Sequence, residues 1–248
     1  FVNKWLTQLP HCYMITVRFL FSRIGKGFDL FSRVYCAALD AIEAVIVQAE
    51  TDISDGLPVF DMVGLPASEV REAKERVRVA MKNSGYLLPP KRITVNLSPA
   101  DIRKDGTAFD LPIAVSVLAS AGYLSKEHIE SILFVGELSL DGSVNPVNGV
   151  LPIVYEAKKQ GFLYCMVPYG NYIEAIAIEG ISILPVNNLQ EVVRYVANPL
   201  DEKMNKEDLS NRKVERFSET DTSVTQEDDF SSLIGQIVAR RAIEVAAA

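Results

Sequence analysis

The sequence predicts a mixed α+β fold. Strand-like alternation fills residues 33–63, helical periodicity follows at 68–85, and Asp141-Gly142 sits between two short apolar runs as a hairpin turn. Strands and helices thus interleave with at least one hairpin, the pattern of a mixed sheet covered by helices.

Each element follows in order. "RVYCAALDAIEAVIVQAE" and then "GLPVFDMVG" read as strands, separated at the turn-forming Asp55-Gly56. Ser68 reads as the N-cap of "EVREAKERVRVAMKNSG". There Val70, Ala73, Val77, Ala80 and Met81 keep helical spacing, and Gly85 ends the run. "KRITVNLSPA" is a strand with Ile93, Val95 and Leu97 on one face. Asp110 then caps an apolar helix with Pro112 in its first turn, stopping at Gly122. "ILFVGELSLDGSVNPV" is the hairpin and 150–161 a helix. "FLYCMVP" is a buried strand, "NYIEAIAIEG" a short helix, "ISILPV" a strand, and 188–197 a closing helix.

Composition narrows the chemistry. The 248 residues are 48% hydrophobic and 23% charged, which is globular composition. A net charge of −7 leaves nucleic-acid binding to local patches only. Cys12, Cys36 and Cys165 are widely spaced, forming neither a disulfide framework nor a metal pair, as in a reducing cytoplasm. With only His11 and His128 present, a histidine-based triad or a His-rich zinc site is not expected. No apolar run reaches the roughly 18–20 residues that span a bilayer, so no membrane partner is expected.

Beyond Asn198-Pro199 the residues turn acidic and polar with thinly scattered apolar side chains, which reads as a flexible linker over 199–228. Helical order resumes at 229–248, where Ile237, Ala242 and Val245 make an apolar stripe.

Residues 31–198 resemble the amino-terminal domain of bacterial magnesium-chelatase-like ATPases of the ComM/YifB family. The resemblance is carried by "FSRVYCAALDAIEAVIVQAETDISDGLPVFDMVGLPASEVREAKERVRVAMKNSGY", "LPPKRITVNLSPADIRKDGTAFDLPIAVSVLA" and "GELSLDGSVNPVNGVLPIVYEAKKQGF". It implies the ribosomal-S5-domain-2-like fold shared with Lon proteases and the RadA repair protein, here as a domain over 30–198. It also implies a following AAA+ ATPase. "DFSSLIGQIVARRAIEVAAA" is similar to the opening of that module, which places Ile234, Gly235 and Gln236 in the turn beside adenine. The Gly-rich phosphate cradle is not reached by Ala248, so ATP and Mg²⁺ are expected of the full-length protein and not of this fragment.

Lon-type proteases set a nucleophilic Ser in Lys-Asp-Gly-Pro-Ser-Ala-Gly and a general-base Lys in Pro-Ile-Gly-Gly-Leu-Lys. The matching runs here put Ala108 and Leu151 in those places. The resemblance therefore implies no catalytic residue; the alternative is a displaced nucleophile, Thr107 or Ser98, with Lys104 as base. Asp52, Asp55, Asp101, Asp105 and Asp141 sit at turns, where Asp is favoured for local bonding, so no metal site is expected. Arg71, Lys74, Arg78 and Lys82 repeat at helical spacing as a basic stripe, and Lys91-Arg92 and Arg103-Lys104 flank a strand. These side chains are candidates for DNA or subunit contact, against the alternative of a solvated face.

Residues 1–29 depart from the family, whose start would be Met-Phe-Ser-Arg-Val-Tyr; Leu30 holds the initiator's place. A purine-rich coding for Gly25-Lys26-Gly27 would suit a ribosome-binding site. The expectation is that 1–29 is translated leader DNA in an open-ended gene fragment, the alternative being a genuine extension.

By resemblance the full protein is expected to be a cytoplasmic, ring-forming, hexameric motor acting on branched DNA in recombination and natural transformation. The alternatives are an accessory ATPase of metal insertion into tetrapyrroles and an interaction scaffold built on an inactive protease fold.

Overall fold

The structure is a computed structural model that describes residues 30–40 and 42–197. The readings of 1–29, 199–228 and 229–248, including the turn Ile234–Gln236, lie outside the described residues.

Among the described residues nine strands and six α-helices follow one another: β1 Phe31–Asp40, β2 Glu43–Ser54, β3 Val59–Val63, α1 Ser68–Asn83, β4 Arg92–Ser98, α2 Asp110–Ser120, α3 Lys126–Ile129, β5 Ile132–Phe134, β6 Glu137–Leu138, β7 Val144–Asn145, α4 Val150–Lys159, β8 Tyr164–Pro168, α5 Tyr172–Ala175, β9 Ser182–Val186 and α6 Leu189–Ala197. Seven strands form one sheet in the order β3-β4-β2-β1-β5-β8-β9, and β6 and β7 pair separately as the Asp141-Gly142 hairpin. The β1–β2 and β2–β4 pairs are antiparallel; β3–β4, β1–β5, β5–β8 and β8–β9 are parallel. The sheet is thus mixed and mostly parallel.

Side-chain alternation divides the core between the two faces of this sheet. Val34 and Cys36 of β1, Ile132 and Phe134 of β5 and Met166 of β8 join α1 and α2 in one cluster. Their neighbours Ala37, Leu133, Cys165 and Val167 join α4 (Val150, Ile153, Val154, Ala157) in a second. A strand whose successive residues serve opposite cores must be apolar on both faces. β4 differs: Ile93, Val95 and Leu97 are buried while Arg92 is exposed and Thr94 and Asn96 are half-buried, so that end of the sheet is apolar on one face only.

All eleven residues of α2 are buried. Its two serines are accommodated by a polar knot. Ser116 Oγ shares a hydrogen bond with Thr51 Oγ1 at 2.7 Å, and Ser120 Oγ donates to the Thr51 carbonyl at 3.0 Å and lies 2.8 Å from Ser32 Oγ. Buried hydroxyls without such partners would each cost about 1–3 kcal/mol.

Three local expectations are corrected. Ser68 is the first residue of α1 rather than its cap: Ala67 holds the cap position without a side-chain bond. Asp110 likewise does not cap α2; Phe109 precedes the helix in helical conformation, and the Asp110 carboxylate turns away to Arg76 and to the Leu138 N–H. The helix expected over 171–180 covers only Tyr172–Ala175, after a 3₁₀ turn at Tyr169–Asn171. The expected stops hold: Gly85 and Tyr86 donate to the carbonyls of Lys82 and Met81, and Gly122 and Tyr123 repeat this on Ala119 and Leu118.

Candidate functional site

Two regions carry the residues singled out in the sequence. The first lies where the segment before α2 meets the segment before α4. Ala108 is half-buried and packs with Val147 against the α4 cluster, and its carbonyl accepts the Gly136 N–H at 3.1 Å. Leu151 lies in the first turn of α4 with an exposed side chain, and its N–H donates to Glu174 Oε1 at 2.9 Å. No hydroxyl or amine is present at either position. The alternative nucleophile, Thr107, donates its hydroxyl to Glu137 Oε2. The other Glu137 oxygen accepts from Asn145 at 3.3 Å, and Asn145 also donates to Ser139 Oγ at 2.8 Å.

Lys104, read as a base or as a rim contact, is fully buried. Its ammonium donates to the carbonyl of Gly64 at 3.0 Å and to that of Pro99. Burial holds its pKa below the ordinary lysine value, against the opposing charge of Asp101. Residue 64 itself has to be glycine, because a Cβ there would lie 2.1 Å from the Leu97 carbonyl oxygen of β4. Lys104 therefore clamps the β3–α1 and β4–α2 connections together, and the expectation of a phosphate contact at Lys104 is corrected. An ammonium with no exposed surface cannot meet a nucleic-acid backbone.

The second region is the outer side of α1. Arg71, Lys74, Arg78 and Lys82 are exposed along it, and among the described residues Arg71 and Lys74 form no ion pair. Lys74, Arg78 and Lys91 come together around a hollow of about 460 Å³, with Phe60, Asp61 and Leu88. A second hollow of about 300 Å³ continues it past Arg78 and Leu88 to Lys82, Tyr86 and Leu87. The cations at the mouth are loosely held. Arg78 pairs with Glu75 at 2.9 Å and Lys91 with Asp55 at 2.9 Å, both at the surface. Arg92 is turned to Asp61 at 2.8 Å, and Arg103 pairs with Asp105 at 3.0 Å. Neither Arg92 nor Arg103 lines the two hollows. The helical spacing of the basic stripe was readable in sequence; the hollow beneath it was not, since it is made by the 86–91 connection folding under the helix.

Among the described residues no three His, Cys, Asp or Glu side chains converge as a metal site, and no helix is long and apolar enough to cross a membrane. The free thiols Cys36 and Cys165 are both buried.

Comparison with known proteins gives concordant similarities. A family model described as subunit ChlI of Mg-chelatase matches residues 49–171. Competence protein ComM of Haemophilus influenzae is 37% identical over 219 residues, 87% of this chain and 41% of that protein. The uncharacterized protein YifB of Escherichia coli is 37% identical over 218 residues, 88% of this chain and 40% of that protein. Lon protease 2 of Bacillus subtilis is 27% identical over 157 residues, 60% of this chain and 28% of that protein. The chain thus spans about two fifths of the length of ComM and YifB.

Proposed function

The chain belongs to the ComM/YifB family of magnesium-chelatase-like proteins, and on that footing we propose that it is the non-catalytic amino-terminal part of an ATP-dependent DNA motor. In this reading residues 30–198 form an S5-domain-2-like domain of Lon type. The ATPase chemistry belongs to a module that begins near residue 229, with Ile234, Gly235 and Gln236 beside adenine. The complete protein assembles as a hexameric ring in the cytoplasm and acts on branched DNA.

The observation that supports the motor reading is the similarity to a competence protein across 87% of this chain. The non-catalytic reading of the domain rests on Ala108 and Leu151. A Ser-Lys mechanism needs a hydroxyl whose proton passes to an amine within hydrogen-bond reach. Here Thr107, one of the two alternative nucleophiles, is engaged with Glu137, and Lys104, the alternative base for Thr107 or Ser98, with two backbone carbonyls. ATP and Mg²⁺ would supply the driving chemistry in the complete protein, and nothing among the described residues is assigned to hold them. Arg71, Lys74 and Arg78 serve as contacts to DNA or to a neighbouring subunit.

The deciding experiment uses a chain that carries this domain together with the proposed ATPase module and measures ATP hydrolysis with and without four-way DNA junctions. Hydrolysis stimulated by junctions and accompanied by branch movement supports the motor. Promotion of magnesium insertion into a porphyrin, with indifference to DNA, would replace it with the metal-insertion reading.

A further inference from the structure

We propose that the groove along α1 is a docking site for an acidic peptide that carries large apolar side chains. The proposal rests on the protein-contact reading of the Arg71–Arg78 row. It is independent of motor activity, which the junction assay tests separately.

The two hollows share Arg78 and Leu88 and so form one continuous groove, bounded by α1 on one side and by the start of β3 and the 86–91 connection on the other. Its floor is apolar: Phe60 and Leu88 pack against the main core. Leu87 at 71% exposure and Val59 at 43% add apolar surface at its mouth. Four cations stand around it: Lys74, Arg78, Lys82 and Lys91. An apolar trough ringed by cations is complementary to a chain whose carboxylates alternate with apolar side chains. The carboxylates would replace the surface pairs Arg78–Glu75 and Lys91–Asp55, which cost little to exchange because solvent screens exposed ion pairs. The apolar side chains would remove Leu87, Leu88 and Val59 from water.

Nucleic acid fits the groove less well. Asp61 and Glu75 stand in its wall, and a phosphate backbone carries no hydrogen-bond donor for them. A peptide can instead offer backbone N–H groups to those two carboxylates. An apolar floor also contributes nothing to a phosphate backbone, whose affinity comes from released counterions.

The test is fluorescence polarisation on the whole 248-residue chain with four labelled probes. These are an Asp/Phe-alternating octapeptide, its Asp/Ala and Lys/Phe counterparts, and a twenty-nucleotide oligo-dT. Saturable binding of the Asp/Phe peptide is expected, weakened about tenfold or more by Arg78→Glu with Lys74→Glu, and similarly by Leu88→Asp. The control Arg103→Glu should leave it unchanged, because Arg103 lies outside the groove. The charge-reversed variant should gain affinity for the Lys/Phe peptide, a result that misfolding cannot produce. Equal binding of the Asp/Ala peptide, or binding untouched by the groove substitutions, would overturn the proposal. So would oligo-dT displacing the Asp/Phe peptide at equal concentration, which would make the groove a nucleic-acid site.

Discussion

Arg76 and Asp110 form a two-bond ion pair between α1 and α2: the guanidinium Nε and Nη2 donate to Oδ2 and Oδ1 at 2.7 and 2.9 Å. The carboxylate is fully buried, and Oδ2 also accepts the Leu138 N–H at 3.3 Å. One side chain thereby ties both helices and the β6–β7 hairpin together. Burial raises the Asp110 carboxyl above its ordinary 3.8, and the Arg76 bonds and charge oppose this without cancelling it.

Removing Arg76 should therefore strand a buried charge. Arg76→Ala is expected to cost about 3–5 kcal/mol in urea unfolding at neutral pH. A carboxyl whose folded pKa is raised contributes stability that is fully present below 3.8 and is lost as pH rises through its folded value. Without Arg76 that value moves higher still, so the cost of Arg76→Ala should shrink toward pH 4. An equal cost at pH 7 and pH 4 would mean that Asp110 finds another partner.

The buried thiols give a prediction on the alkaline side. Burial pushes Cys165 from 9.0 up to about 12 and raises Cys36 further; the Cys36 thiol donates to the Val47 carbonyl at 3.3 Å. Below pH 9 both are neutral in folded and unfolded chains, so their contribution is fully present. Between 9 and 12 the unfolded chain ionises first, and stability should fall by about 1.4 kcal/mol per pH unit per thiol. Cys36→Ala with Cys165→Ala should flatten that slope, measured by urea unfolding from pH 8.5 to 10.5. An unchanged slope would place its origin in tyrosines or lysines.

The same contrast shows what the sequence could and could not disclose. Alternation in β4 and the 3.6 period of α1 are written in single segments, so those elements were legible; the alternating run from residue 33 was read as strand, but its fold-back between Asp40 and Glu43 was not. The periodicity of α2 says nothing about which side is buried, because every side is. The role of Asp110 depends on an arginine 34 residues away, and that of Lys104 on a carbonyl 40 residues away. A charged Lys-Asp-Gly run reads as a wet turn until the chain folds the β3–α1 connection over it. Ala108 and Leu151 could be placed from motif alignment because there identity, and not environment, is the signal.

Peptidase chemistry should be absent. The whole chain is expected to leave casein intact and to take no label from serine-directed phosphonates, with Thr107→Ala indistinguishable from the parent. Phosphonate labelling lost in Thr107→Ala would show that the Thr107–Glu137 pair is a working nucleophile and base.

Reversing the basic row separates its two assigned roles. In a chain that carries the proposed ATPase module, Arg71→Glu with Lys74→Glu and Arg78→Glu should weaken either DNA binding or ring assembly, whichever the proposed contact serves. Loss of DNA affinity with intact rings identifies a DNA face; loss of rings, followed by size-exclusion chromatography, identifies a subunit contact. Junction movement at the parent rate with intact rings would leave the row as solvated surface.

Lys104 should behave in the opposite manner, as a residue of the fold. Lys104→Met keeps most of the buried stem but leaves the carbonyls of Gly64 and Pro99 without their donor. A cost of about 1–3 kcal/mol in urea unfolding is expected from the stranded carbonyls. Hydrogen exchange should quicken at Ala67, whose N–H donates to the Lys104 carbonyl at 3.0 Å, because the two connections lose their common clamp. A phosphate-contacting lysine would do something else: its loss would lower the salt dependence of DNA affinity by about one counterion and leave stability alone. Measuring both quantities on Lys104→Met distinguishes them, and a reduced salt slope with unchanged urea midpoint would return Lys104 to the surface rim.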